Sequence, residues 1–388
     1  MKFILILASI IYLSLSNIYC LAKEAKQDES ILKVGLIVPL SGKHQEIGKS
    51  VLNSIRLALS KINDDQIEIF PKDNNSNPEK TLFAAKQLEK EGIQIVIGPI
   101  FHQNLIYLEE VQNLTFLSLS NKTKIIPKNV ITIGVNANSQ ISAIVNFIKK
   151  ENLNKTIVLV PKSNFEDELR NALVKSKYEF MNIYSYDVEP NKLTPLIKQI
   201  TAYSERTKKL EKIIEFVEKG IEILEKEEEL KNLKKKYTLG EINFDSVVIA
   251  NFGENLKSVT NSFSFSDVTA QDVKFITLNQ WFDETLLKES SANQIYFPSI
   301  NLTNYSKFRE TYFKNYNKYP PQISILSYDI LGLIYYIKKV QGDNLVKNIF
   351  NKKISYIGEV GEFSFEDKIV THKLDIYQVF DNQFLKIN

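Results

Sequence analysis

Residues 32–40 read Leu-Lys-Val-Gly-Leu-Ile-Val-Pro-Leu, an apolar run with one charge that stops at Pro39 and a Ser41-Gly42 turn. Such a strand is apolar on both faces and must be covered on both, which points to a parallel sheet between helix layers. The following residues repeat the pattern. Val51, Ile55, Leu59 and Ile62 keep helical spacing, residues 66–70 alternate like a strand, and Asp73 to Pro78 carries turn chemistry. Residues 78–91 read as a second helix with Pro78 in its first turn. Residues 92–99 form a strand ending at Gly98-Pro99, residues 104–111 a helix, and residues 115–120 a strand. This β-α-β-α-β-α-β order is that of an α/β fold.

The alternation restarts after Asn138, with strands expected at 155–161, 183–188, 246–251, 274–278 and 294–297 and helices between them. Two α/β units of similar length predict two lobes. The C-terminal part predicts helices at 302–317, 322–340 and 345–351. It closes on Gly361-Glu362-Phe363-Ser364-Phe365 and a strand at 374–380, read as a hairpin around the polar residues 366–368.

Two segments stand outside this scheme. Met1-Lys2 and the uncharged run 3–15 precede Cys20-Leu21-Ala22. The run is shorter than the ~20 residues that span a bilayer, and with the small residues before Lys23 it reads as an export leader over 1–22. Lipidation of Cys20 is the lesser reading, because Tyr19 precedes it. The second segment, 204–240, is a charged helical insert. Leu210, Ile214, Val217, Ile221 and Leu224 step by four and three, and Glu215/Lys219 and Glu227/Lys231 are i,i+4 pairs in the favourable order. It is either a solvated helical hairpin whose apolar stripe lies on the second lobe, or an arm that docks a partner.

The chemistry on offer is sparse. Net charge is +3 and only four of the 49 basic residues are arginines (Arg56, Arg170, Arg206, Arg309), which argues against a nucleic-acid partner. Cys20 is the only cysteine, and His44, His102 and His372 are far apart, so no metal site is expected. Ser41-Gly42-Lys43 follows a strand, but neither a P-loop nor a dinucleotide fingerprint is present, and no cofactor is expected. GxSxG is absent. Acidic groups such as Glu166/Asp167/Glu168 fall on expected helices, where solvation is the default. No catalytic residues are expected, and the chain reads as a non-enzyme. Ligands of open α/β sheets bind beyond the carboxyl ends of strands. That rule places His102, Ser118, Ser120, Asn121, Phe165, Asn279 and Trp281 around one crevice. His102 otherwise caps a helix, and Trp281 otherwise packs in the core.

These residues carry a resemblance. Val34-Gly35-Leu36-Ile37-Val38-Pro39-Leu40-Ser41-Gly42, Asp73, Ile95-Val96-Ile97-Gly98-Pro99, Ser327-Tyr328-Asp329 and Gly361-x-Phe-x-Phe resemble, in this order, the type I periplasmic binding proteins of the leucine-binding kind. The resemblance covers about residues 32–380 and implies two Rossmann-like lobes with mostly parallel sheets. Three crossovers would join them, near Asn136 to Asn138, near Ser299 and near Ile357 to Gly361. One lobe would then hold 31–138 and 300–358, the other 139–299 and 359–388. It implies a ligand between the lobes. The amino-acid clamp of those receptors is not recognisable: Ile100-Phe101-His102 stands where a hydroxyl usually follows, Thr123 is displaced, and Asn279-Gln280 replace an acidic residue. This departure favours a resemblance to the penicillin-binding-protein activators, exported regulators of peptidoglycan synthesis that act in the periplasm by protein contact. The expected partner is a cell-wall synthase. The alternative is an ABC-transporter solute-binding protein carrying an amino acid or other small molecule to a permease.

Overall fold

A computed structural model describes residues 31–219, 224–279, 284–288, 293–341, 354–366 and 369–387. The expected leader at 1–22 with Cys20, the helix expected at 345–351, and Trp281 lie outside these residues.

The first lobe opens as β1 (Leu32–Val38), α1 (Gln45–Ile62), β2 (Ile67–Asp73), α2 (Pro78–Lys90), β3 (Ile95–Ile97), β4 (Thr115–Ser118) and β5 (Val130–Thr132). The second runs α3 (Ala137–Lys150), β6 (Thr156–Pro161), α4 (Glu166–Lys175), β7 (Asn182–Tyr186), α5 (Pro190–Ile200), α6 (Tyr203–Lys219), α7 (Leu224–Leu233), β8 (Ser246–Ile249), α8 (Gly253–Phe265), β9 (Lys274–Thr277) and β10 (Tyr296–Ser299). The remainder is α9 (Leu302–Tyr316), α10 (Ile323–Gln341), β11 (Ile354–Gly358), β12 (Gly361–Glu366), β13 (Ile369–His372), β14 (Asp375–Phe380) and β15 (Gln383–Ile387).

The strands form two sheets, in the orders β11-β12-β13-β5-β4-β3-β1-β2 and β15-β14-β10-β9-β8-β6-β7. β1 lies parallel between β2 and β3, with Val38 beside Asp73. Val34, Leu36, Ile37 and Val38 are all fully buried, as a strand covered on both faces requires. Asn residues start three helices. Asn77, Asn136 and Asn301 each accept a backbone N–H at their helix N-terminus (from Lys80, Ser139 and Asn304), a capping bond worth about 1 kcal/mol.

The C-terminal third departs from expectation. β12 does not pair with the 374–380 strand. It forms antiparallel hairpins with β11 and β13 inside the first sheet, while β14 pairs with β10 and β15 in the second. Residues 361–372 therefore belong to the first lobe, and the chain crosses at Lys373-Leu374 rather than near Ile357 to Gly361. The cause is long-range packing: Phe363 and Phe365 are buried in the first lobe, with Phe363 against Tyr356 and His372. Residues 104–111 hold two short 3-10 turns, His102–Leu105 and Leu108–Glu110, not a helix.

The insert is a helical hairpin. Leu210, Val217 and Leu233 form a small buried cluster separate from the main core. Arg206 anchors its base by donating to the carbonyls of Ser266 and Asp267 at 3.2 and 3.1 Å. Of the expected stripe, Leu210, Ile214 and Val217 pack with Leu230 and Leu233 of the other arm rather than on the second-lobe core; Ile221 lies outside the described residues.

Candidate functional site

The loop after β4 sets the geometry between the lobes. Ser118 is fully buried; its hydroxyl donates to the Pro99 carbonyl at 2.8 Å and accepts the Ser120 N–H at 3.2 Å. The Ser120 hydroxyl accepts the Lys122 N–H at 3.2 Å. Both hydroxyls thus fold their own loop. Asn121 is exposed. The loop then presents three donors to the second lobe, and one carboxylate takes all of them. Glu168, in the first turn of α4 and 6% exposed, accepts the N–H groups of Thr123 and Lys124 at 2.9 and 3.0 Å and the Thr123 hydroxyl at 2.7 Å. Two backbone N–H groups and a hydroxyl are a carboxylate-binding set, and here the carboxylate comes from the opposite lobe.

His102 sits close to this seam. Burial and the nearby Lys122 charge lower its pKa, with Glu168 opposing, so the imidazole is neutral at neutral pH. Its Nδ1 has no hydrogen-bond partner, and neither amide atom of Asn104, which is 1% exposed, has one. Phe165 caps α4 one turn before Glu168 and packs half-buried on the core. His102, Ser118, Ser120, Asn121 and Phe165 therefore lie around the Glu168 seam.

Asn279 belongs to a different row. At the ends of the second-lobe strands, its N–H donates to the Gln140 side chain at 2.8 Å and its Oδ1 accepts the Ser299 hydroxyl at 3.1 Å. Asn251 donates to the Tyr186 hydroxyl at 2.8 Å, and burial pushes that phenol up to about 12. The described hydrogen bonds do not join this row to His102. Sequence reasoning missed Glu168, Asn104 and Asn251. Solvation is the default for three acids at a helix start, and the structure corrects it for Glu168: the third acid of the first turn is buried because the other lobe supplies its donors.

The crossovers are knitted by a buried network. Asn136 donates to the Val370 carbonyl at 2.6 Å, Ser139 donates to Asn136, and the His372 N–H donates to the Ser139 hydroxyl at 2.9 Å. His372 Nε2 bonds the Ile133 carbonyl at 2.8 Å. Complete burial lowers its pKa to about 4, with that bond opposing. Among the described residues, no cluster of three or more His, Cys, Asp or Glu could hold a metal ion, and no helix is long and apolar enough to cross a membrane.

Two sheets with the strand ends of each lobe meeting across a seam, joined by three crossovers, can be set beside known proteins. Residues 31–202 match the family model described as periplasmic binding protein. The chain has the type I periplasmic-binding-protein fold. Full-length LpoA from Haemophilus influenzae superposes with a TM-score of 0.64 at 15% identity over 93% of this chain and 60% of LpoA. The chain thus spans less than two thirds of that protein, but all of the LpoA C-domain, described as a regulator of PBP1A (TM-score 0.63, 14% identity, 92% of this chain). LivJ, the branched-chain amino acid substrate-binding protein of Streptococcus pneumoniae in complex with isoleucine, gives 0.55 at 17% identity over 92% of this chain and 99% of LivJ. A Rhodospirillum rubrum protein assigned to branched-chain amino acid ABC transport gives 0.70 at 11% identity, with 92% and 99% coverage. No curated protein matches the sequence. These neighbours are binding proteins and a regulator, not enzymes, and at such identities they establish the fold alone.

Proposed function

We propose that the chain is an exported, non-catalytic envelope protein whose two lobes form a fixed platform for a protein partner, in the manner of LpoA, and that it regulates peptidoglycan synthesis. The observation that carries this reading is Glu168. The loop after β4 commits three donors, the Thr123 and Lys124 N–H groups and the Thr123 hydroxyl, to a carboxylate of the chain's own second lobe, which leaves these three closed to a solute carboxylate. In the second-lobe row, Asn251 donates to the Tyr186 hydroxyl and Ser299 to the Asn279 Oδ1. A periplasmic receptor must open and close around its cargo, whereas a platform gains from lobes held in one arrangement.

The reading is tested in two steps. Calorimetry of the mature chain with leucine, isoleucine and valine should give no binding heat, and a micromolar Kd for any of them would overturn it. Mixed with a bifunctional cell-wall synthase, the chain should bind the synthase and change its rate of glycan polymerisation; an unaltered rate and no complex would remove the regulator role.

The alternative of an ABC-transporter solute-binding protein is favoured by one observation, the buried His102 Nδ1 and Asn104 amide that lack protein partners. A buried polar group without a partner costs ~1–3 kcal/mol, and a polar solute is one way to relieve it.

A further inference from the structure

A second constellation lies in the first lobe, and none of its residues takes part in the Glu168 seam. Two cavities of about 390 and 400 Å³ adjoin where α1, α9 and α10 meet the β11–β12 turn. Lys61, Tyr328 and Glu359 line both, so the two chambers form one groove. The first chamber is walled by the rings of Tyr328, Tyr335 and Tyr356, and the second by Phe308, Thr311 and Asn315.

The groove is built rather than incidental. Asp329, 3% exposed, accepts the N–H groups of Glu359 and Val360 at 2.8 and 2.7 Å and so holds the turn that carries Tyr356 and Glu359. Gly358 and Gly332 have no room for side chains, because a Cβ at 358 would overlap the Asp329 carboxylate and one at 332 would press on the Tyr356 hydroxyl. Phe308 meets Tyr328 edge-on at 5.6 Å, and the Lys61 ammonium lies 5.7 Å over the Tyr328 ring while pairing with Glu359 at 3.0 Å.

Charge and shape narrow the ligand. Lys61 and Glu359 neutralise each other at the centre of the groove, the Asp329 carboxyl is committed to the Glu359 and Val360 N–H groups, and Lys307 in the second chamber is one ammonium without the converging N–H donors that hold a phosphate. A lipid tail would strand the hydroxyl, amide and charged groups of the wall without partners. What remains is a neutral molecule with flat C–H faces to lie on tyrosine rings, whose faces are electron-rich, and with hydroxyls that both donate and accept at its edges. That is the chemistry of pyranose rings. Each chamber falls within the usual ~300–1,000 Å³ of a small-molecule site, and two in a row suit a chain of linked sugars. We propose that this groove binds an oligosaccharide, stacked on Tyr328 and Tyr356 and hydrogen-bonded at its centre by Lys61 and Glu359. The site stands independently of the partner reading, since it uses neither the seam nor a synthase.

The test is calorimetry of the mature chain with chitotetraose and with cellotetraose, which share linkage and ring shape but differ in the N-acetyl group. Binding of chitotetraose alone assigns the groove to amino-sugar glycans of the cell-wall type, and binding of both assigns it to β-linked glycans generally; either supports the proposal. Tyr356→Ala and Lys61→Met should each weaken the bound sugar at least tenfold, while Glu168→Gln leaves it unchanged. Thermal melts identify a variant that has lost its fold, and Tyr356→Phe, which keeps the ring, should retain binding within about threefold. No binding of either sugar at millimolar concentration overturns the proposal. Binding that survives both Tyr356→Ala and Lys61→Met in folded protein overturns it too, because the sugar then sits elsewhere. A failed synthase experiment leaves this result untouched.

Discussion

Glu168 and Asp329 are two buried carboxylates with the same local chemistry and different reach. Each accepts two consecutive backbone N–H groups, Glu168 those of Thr123 and Lys124, Asp329 those of Glu359 and Val360. Asp329 ties a helix to a turn within one lobe, and burial raises it to about 7 against those two bonds. Glu168 ties one lobe to the other and adds the Thr123 hydroxyl. The same motif thus cements tertiary structure in one place and bonds the two lobes to each other in the other. Removing each should separate stability from lobe geometry.

The largest effect is expected for Asp329→Ala. It leaves two N–H groups at the β11–β12 turn without an acceptor and frees that turn, at a cost on the order of 3 kcal/mol, or roughly 4 °C in Tm for a chain of this size. Denaturant and thermal melts check it; an unchanged Tm would mean that the turn holds itself.

The pH response comes next. His372 has a folded pKa of about 4 against an ordinary 6.5, so its contribution is complete above pH 6.5 and is lost as pH falls toward 4. Asp329, raised to about 7 from 3.8, works in the opposite sense: its contribution is complete near pH 3.8 and is lost as pH rises to 7. Each spans about 3–4 kcal/mol by linkage, so in acidification from pH 7 to 4 they largely cancel. Asp329→Asn should expose the histidine alone, and from pH 7 to 4 its stability should fall by roughly 4 kcal/mol relative to the parent chain, which is the Asp329 contribution it lacks. Urea melts at pH 7, 5.5 and 4 measure it, and parallel curves for the two proteins would refute the pairing.

Glu168→Ala should cost less, about 1–3 kcal/mol, because the freed loop donors can reach water. Its distinctive effect is geometric: the radius of gyration from solution scattering should rise as the lobes part, whereas Asp329→Ala leaves it unchanged in folded protein. An equal radius for both would erase the difference between the two carboxylates. The smallest effect concerns the hairpin α6–α7. Replacing 208–236 with a short Gly/Ser loop while keeping the Arg206 anchor should shift stability by only ~1 kcal/mol, since long surface insertions are tolerated and the Leu210/Val217/Leu233 cluster is its own. Loss of cooperative unfolding would show that the hairpin belongs to the core.

What the sequence revealed follows from where its signals are local. β1, with its continuous apolar run, and α9 and α10, with long periodic faces, were legible almost to the residue. β5 and β13 were not, because three or four residues such as Val130-Ile131-Thr132 carry no period. The 361–365 strand was legible as a strand but not by sheet, since its alternating Phe363 and Phe365 suit either core and the choice rests on distant Tyr356 and His372. The site failed for the same reason. Strand ends pointed to Ser118, Ser120 and His102, but the burial of Glu168 depends on Thr123, 45 positions away, and three adjacent acids at a helix start give no hint which one turns inward.

Seen as competition, Glu168 is a ligand on a tether. Its carboxylate meets Thr123 and Lys124 at an effective concentration set by the crossovers, millimolar even for a flexible link and greater for one as rigid as this. Any free carboxylate seeking the same three donors must exceed that concentration or bring contacts of its own.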